Sequence, residues 1–172
     1  MIEQVPASAL PSVLDDLTDT LHACVHDGAS VGFVLPFTTQ EAADFWQTRV
    51  FPMVAAQHAT LFVARHEGRV VGTVQLVPAP MPNQPHRADV SKLLVHPDFR
   101  RLGLGRALMS ALQDKARALS LSLLVLDTRS GDPSQSLYAS LGFQVAGEIP
   151  EFCRNPFDDR LEPTTYMYKS LR

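Results

Sequence analysis

The run Arg100-Arg101-Leu102-Gly103-Leu104-Gly105 is the part of the chain whose residue types and spacing point most directly to chemistry. Alternating glycines let a backbone turn tightly and leave its N–H groups unobstructed. At the start of a helix, those N–H groups and the helix dipole together form an anion site. Arg100, Arg101 and Arg106 add formal positive charge around it. A pyrophosphate is a natural ligand for such a loop. Two other phosphate loops do not fit: the dinucleotide fingerprint needs G-x-G-x-x-G, but Ala107 and Leu108 stand where that pattern would continue, and the Gly-Lys-Ser/Thr of a Walker loop is absent. A glycine-rich helix start preceded by solvated arginines is the plainer reading of the same residues.

The elements that must position this loop can be read from hydrophobic periodicity. Ala7 to Val25 reads as a helix, with Leu10, Leu14, Leu17, Leu21 and Val25 on one face. Ser30 to Thr38 reads as an irregular segment, and a second helix runs from Thr39 to Trp46. Ala59 to His66 and Arg69 to Val77 form a hairpin around Glu67-Gly68. Pro78 to Pro85 holds four prolines and reads as a loop. Arg87 to Val95 is a strand, Leu104 to Leu119 an amphipathic helix and Leu121 to Leu126 an apolar strand covered on both faces. Asp132 to Leu141 is a short helix; Phe143 to Ile149 and Thr164 to Tyr168 are the last strands, separated by a polar loop. The loop of interest therefore lies between a strand and a helix, in an α/β (α+β) chain built on a mixed sheet with helices on its faces. Residues 1–172 are expected to form one domain.

Arg-x-x-Gly-x-Gly between strand and helix resembles the acetyl-CoA loop of the GNAT superfamily of N-acetyltransferases, and LLVHPDFRRLGLGRALMSAL has that family's strand, loop and helix in order. Downstream, SLYASLGFQVAG resembles the family's second signature, so the resemblance runs from about Leu61 to Lys169. The stretches VVGTVQL, PNQPHRADVSKLLVHP, LLVLDTRSGDPSQSLY and TTYMYKSL are most similar to the tabtoxin-resistance type within it. The resemblance implies a mixed, mainly antiparallel sheet of about six to seven strands. It implies acetyl-CoA as cosubstrate, its pyrophosphate on the N–H groups of Arg101 to Ala107 (through Leu102, Gly103, Leu104, Gly105 and Arg106) and its pantetheine along Leu94 and Val95, with Arg100 and Ser134 also in contact. Many relatives carry Asn seven residues before the tyrosine of the second signature; this chain has Gly131 there.

The resemblance also implies that Tyr138 lies near the CoA sulfur, where a phenol can protonate the leaving thiolate. A substrate ammonium must lose a proton before it attacks a thioester, and the acids Asp127 and Asp89 face the acceptor side in the tabtoxin-resistance pattern. Each has an ordinary alternative: Asp127 as a cap for the loop Thr128 to Gly131, Asp89 as an outward-facing strand residue, Tyr138 as a core aromatic. Trp46, Phe33, Phe37 and Phe45 read as core, or as the wall of an acceptor pocket. His86 and His96 read as solvated loop side chains. The histidines show no H-E-x-x-H spacing and no carboxylate cluster beside them, so no metal is expected. Cys24 and Cys153 lack any motif, which favours direct transfer to the amine over a covalent relay.

The formal net charge of -3 gives no electrostatic reason to expect nucleic acid or an anionic membrane as partner. The N-terminus carries no export signal, no stretch is suited to span a bilayer, and isolated cysteines suit a reducing cytoplasm, so the expected location is cytoplasmic. The expected reaction is acetyl transfer to a primary amine of a small molecule such as an amino acid, an amine or an amine-bearing antibiotic or toxin. The Pro78 to Pro85 loop would cover the site and favour a small acceptor. A peptide acetyltransferase and a non-catalytic acetyl-CoA sensor are the competing readings. The oligomeric state stays open, a homodimer included.

Overall fold

A helix, a hairpin and a strand–loop–helix unit are what the apolar pattern dictates, and all are present in the computed structural model, which describes residues 1–172. The strands are β1 (Ile2–Gln4), β2 (Thr60–His66), β3 (Arg69–Pro78), β4 (Arg87–Val95), β5 (Leu123–Arg129), β6 (Gln144–Arg154) and β7 (Leu161–Ser170). They form one seven-stranded sheet in the order β1-β2-β3-β4-β5-β7-β6. Only β4 and β5 run parallel; the other neighbours are antiparallel. The expected mixed, mainly antiparallel sheet is therefore observed.

Helices cover both faces. Helix α1 (Leu10–His26) turns Leu10, Val13, Leu17, Leu21 and Val25 onto Leu61, Val63, Val70 and Leu94 of the sheet. On the other face, α4 (Leu104–Ala118) buries Leu108, Met109, Leu112 and Ala116 against Val74, Leu76, Val90, Leu124 and Leu126. Thr38 starts α2 (Thr39–Phe45) with a capping box: its hydroxyl accepts from the Glu41 N–H while the Glu41 carboxylate accepts from the Thr38 N–H. The short helix α5 (Pro133–Ser140) follows β5 and carries Tyr138.

Three boundaries differ from the sequence reading. The chain does not leave helix at Trp46; a π turn over Trp46–Val50 leads into α3 (Phe51–Ala55). Pro52 is tolerated there because it occupies the first turn of α3. Residues 2–4 form an unexpected edge strand, too short to show periodicity. The hairpin β6–β7 is much longer than expected, with Pro163 inside β7, because β6 is an exposed edge strand without an apolar face to announce it.

Trp46 is fully buried, and its indole N–H donates to the Leu17 carbonyl at 2.9 Å, tying α2 to α1. Trp46→Phe removes that donor and part of the ring volume. Urea denaturation should show a loss of about 1–2 kcal/mol; no loss would mean that the bond contributes nothing to holding α2.

Candidate active site

Sheet pairing opens the site. β4 and β5 are in register only at Arg87–Leu123, Ala88–Leu124 and Asp89–Val125. Beyond that point they part, and the facing edges of residues 90–95 and 126–129 have no strand partner, although the Val95 carbonyl is taken by side chains; a third, strand-like segment fits between them. The gap is a cleft of about 860 Å³. Its walls include Leu94, Val95, Asp127, Ser134 and Tyr138, and its mouth is formed by Arg100, Arg101, Gly103, Leu104, Gly105 and Arg106.

Local sequence shapes the mouth. His96 caps a short turn over Pro97–Phe99, accepting the Asp98 N–H at Nδ1. The chain then passes through left-handed conformations at Arg101 and Gly103, with φ of 66° and 77°, before α4 begins. Gly103 provides no side-chain cap, so the first-turn N–H groups from Leu104 to Arg106 are left facing the mouth. Gly105 packs closely on α5: a Cβ there would stand 3.3 Å from Leu137 Cδ2 and would press that side chain aside.

The expected cofactor residues do not all reach this mouth. The Ala107 N–H already donates to the Gly103 carbonyl at 3.0 Å, closing the first helical bond, so Ala107 is removed from the anion site. Leu102 is exposed and stands outside the cleft walls. The guanidinium of Arg100 turns away to Asp27 at the end of α1 (2.5 Å), and its Nε donates to the Val95 carbonyl, so its charge is largely answered within the protein. Arg106 donates to the Ser140 hydroxyl at 2.8 Å. Ser134 shares a hydrogen bond with Thr128 across 2.7 Å.

The two acids part company. Asp127 lies on the cleft wall, exposed, with one carboxylate oxygen accepting from the Thr164 hydroxyl at 3.2 Å. Asp89 sits where the strands are still paired, outside the walls, and its carboxylate accepts from Arg87 at 2.9 Å. Of the two acids expected on the acceptor side, the structure brings only Asp127 to the cleft; Asp89 is engaged by a cation and stops short of the gap. Tyr138 is 6% exposed, lines the cleft and packs beside Phe143. Burial, reinforced by the charge of Asp127, raises its phenol well above the ordinary tyrosine range.

Cys24 lines the cleft unexpectedly, with its thiol donating to the Val95 carbonyl at 3.4 Å. Burial pushes that thiol up to about 11, so little thiolate exists at neutral pH. Both cysteines are free. His96 is buried rather than solvated, its Nε2 3.3 Å from an Asp19 oxygen. The Pro78 to Pro85 loop enters at the start of β4, away from the cleft, and does not cover it. Phe33 and Phe37 of the α1–α2 connection pack together at a tilt, and Phe45 meets Phe33 and Trp46 edge-on. Lys92, which the sequence reading passed over, is a wall residue. The consecutive polar pair Ser91-Lys92, breaking the alternation of β4, was the signal available for it.

Comparison with known proteins agrees with this architecture. The family model described as "Acetyltransferase (GNAT) family" matches residues 30–143. An N-acetyltransferase from the hisH-hisA intergenic region of Azospirillum brasilense, itself uncharacterized, is 32% identical over 118 residues, covering 67% of this chain and 68% of that protein. The L-amino acid N-acyltransferase MnaT of Escherichia coli (strain K12) is 35% identical over 82 residues, covering 40% of this chain and 48% of that one. The structure of a phosphinothricin acetyltransferase from Sinorhizobium meliloti, in complex with AcCoA, superposes with a TM-score of 0.78 at 22% identity, covering 99% of this chain and 88% of that one. No helix of the chain is long and apolar enough to cross a membrane.

Proposed function

The chain belongs to the GNAT family of acetyltransferases, and on that footing we propose that it moves the acetyl group of acetyl-CoA directly to a primary amine of a small molecule. The observation that carries this reading is the parting of β4 and β5 into a cleft that ends at an uncapped helix N-terminus. The pyrophosphate lies at the N–H groups of Leu104 to Arg106, with Arg101 and Arg106 nearby, and the two amides of pantetheine pair with the free edge of β4 beside Leu94 and Val95. Ser134 borders the same path. The similarity to a protein that binds AcCoA and to one that acts on L-amino acids supports a small acceptor, as does the finer likeness to the tabtoxin-resistance type.

The amine approaches from the α1–α2 side, where Asp127 attracts the ammonium and takes its proton, directly or through water. The nitrogen lone pair attacks the thioester carbonyl. The attached nitrogen gives up its second proton to water, collapse of the tetrahedral intermediate breaks the C–S bond, and Tyr138 donates a hydrogen bond to the departing thiolate. The scarcity of Cys24 thiolate supports direct transfer over an acetyl-cysteine relay. The whole chain acts as one domain.

Asp127→Asn tests the acceptor half. Turnover should fall on the order of tenfold, at the low end for a general base because the site is open and water shares the proton. Calorimetry should find acetyl-CoA affinity unchanged. A variant with the wild-type pH–rate profile would remove Asp127 from the reaction.

A further inference from the structure

Lys92 lines the cleft and has no task in the transfer just described. Simple alternation along β4 would send its side chain the other way. Ala88 and Val90 pack into the α4 core, and residue 92 would follow them. A bulge intervenes: β3 advances from Thr73 to Gln75 while β4 runs from Leu94 back to Ser91, one residue more. Lys92 itself holds φ of 52°. As a result Leu94 packs into the α1 core and Leu93 and Val95 against the α4 core, the reverse of an unbulged register. Bulges beside active sites commonly re-aim a side chain, and this one brings Lys92 onto the same sheet face as Asp127. Its ammonium lies 5.6 Å from the centre of the Phe45 ring, and 4.0 Å from where a Cβ on Gly32 would stand.

The ammonium so placed lacks a bonded counter-charge. Asp127 acts on it through space only, the Phe45 ring face offers a weak attraction, and burial draws its pKa down. A largely desolvated cation without a paired anion is unfavourable unless a ligand supplies the anion.

We propose that Lys92 is an anion subsite for the acceptor, so that the protein acetylates amines bearing a nearby carboxylate, amino acids and their acidic analogues, in preference to plain amines. This rests on the reading of the cleft as the site of acetyl transfer and narrows its substrate class. Asp127 and Lys92 present opposite charges on one wall, matching the ammonium and carboxylate of a zwitterion. The same lysine repels a polyamine or an amine without an acid group.

The test is acetyl transfer to a panel of L-amino acids, to their matching carboxamides and to simple alkylamines, with wild type, Lys92→Met and Lys92→Arg. Circular dichroism melting checks that each variant is folded. Wild type should favour acids over carboxamides on the order of tenfold or more in kcat/KM, carried mainly by KM. Lys92→Met should collapse that ratio towards one, and Lys92→Arg should restore part of it. Equal losses on acids and carboxamides in Lys92→Met would overturn the assignment. Turnover of alkylamines with none of the acids would also overturn it, while leaving the acetyltransferase reading intact.

Discussion

Replacing Tyr138 with phenylalanine should slow acetyl transfer on the order of a hundredfold while leaving acetyl-CoA affinity unchanged. The substitution removes one hydroxyl from a ring buried beside Phe143, so the packing survives. What is lost acts late: as the tetrahedral intermediate collapses, negative charge gathers on sulfur, and a donor aimed there helps the transition state more than the ground state. Burial and the neighbouring Asp127 charge hold the phenol above its ordinary pKa. A raised pKa keeps the group protonated to higher pH, so the donor is present throughout the neutral range and the ratio of wild-type to variant rates should be flat between about pH 6 and 9. The same shift makes full proton transfer to the thiolate uphill, so the contribution is a strong hydrogen bond rather than a released proton. Single-turnover rates with parallel calorimetry decide the matter. A Phe variant within twofold of wild type would make Tyr138 a packing residue.

Gly103→Val should weaken acetyl-CoA binding on the order of a hundredfold, corresponding to about 3 kcal/mol. The reason is conformational. A Cβ at Gly103 meets nothing within 4 Å, so the protein itself has room for the side chain. However, φ is 77°, a conformation that a β-branched residue strongly resists. The loop would relax, and the N–H groups from Leu104 to Arg106 would lose their shared focus. Asparagine tolerates this conformation, so Gly103→Asn should keep most of the affinity. Calorimetry on the folded variants separates the two, and equal, wild-type affinity in both would remove the pyrophosphate from this loop.

Features set by neighbours in the chain were legible from the sequence. The Arg-x-x-Gly-x-Gly loop, the strand before it and the helix after it are one contiguous segment, and Tyr138 stands in a second one. Features that depend on distant pairing were not. Arg100 reads as a phosphate ligand until Asp27, 73 residues away, claims it. Asp89 and Asp127 look equivalent until the register places one in the paired part of β4–β5 and the other in the gap. The identity of Ala107 says nothing about where its N–H points; the helix start decides that. Lys92 faces the cleft only because the bulge reverses the alternation of β4, and the Ser91-Lys92 pair hints at the break without locating its side. The edge strand β6 escaped notice past Ile149 because both of its faces are largely solvated, which removes the apolar period on which strand reading depends.

The most direct measurement is of free CoA released from acetyl-CoA by the wild-type chain, with mass spectrometry of the amine and of the protein in the same reaction. Direct transfer requires release that depends on the amine, one acetylated amine for each CoA, and no acetyl group retained on the protein. Release without an amine, carried by an acetylated Cys24, would contradict direct transfer. Tight acetyl-CoA binding with no release across acids, carboxamides and alkylamines would contradict the enzyme itself and leave a module that binds the cofactor without using it.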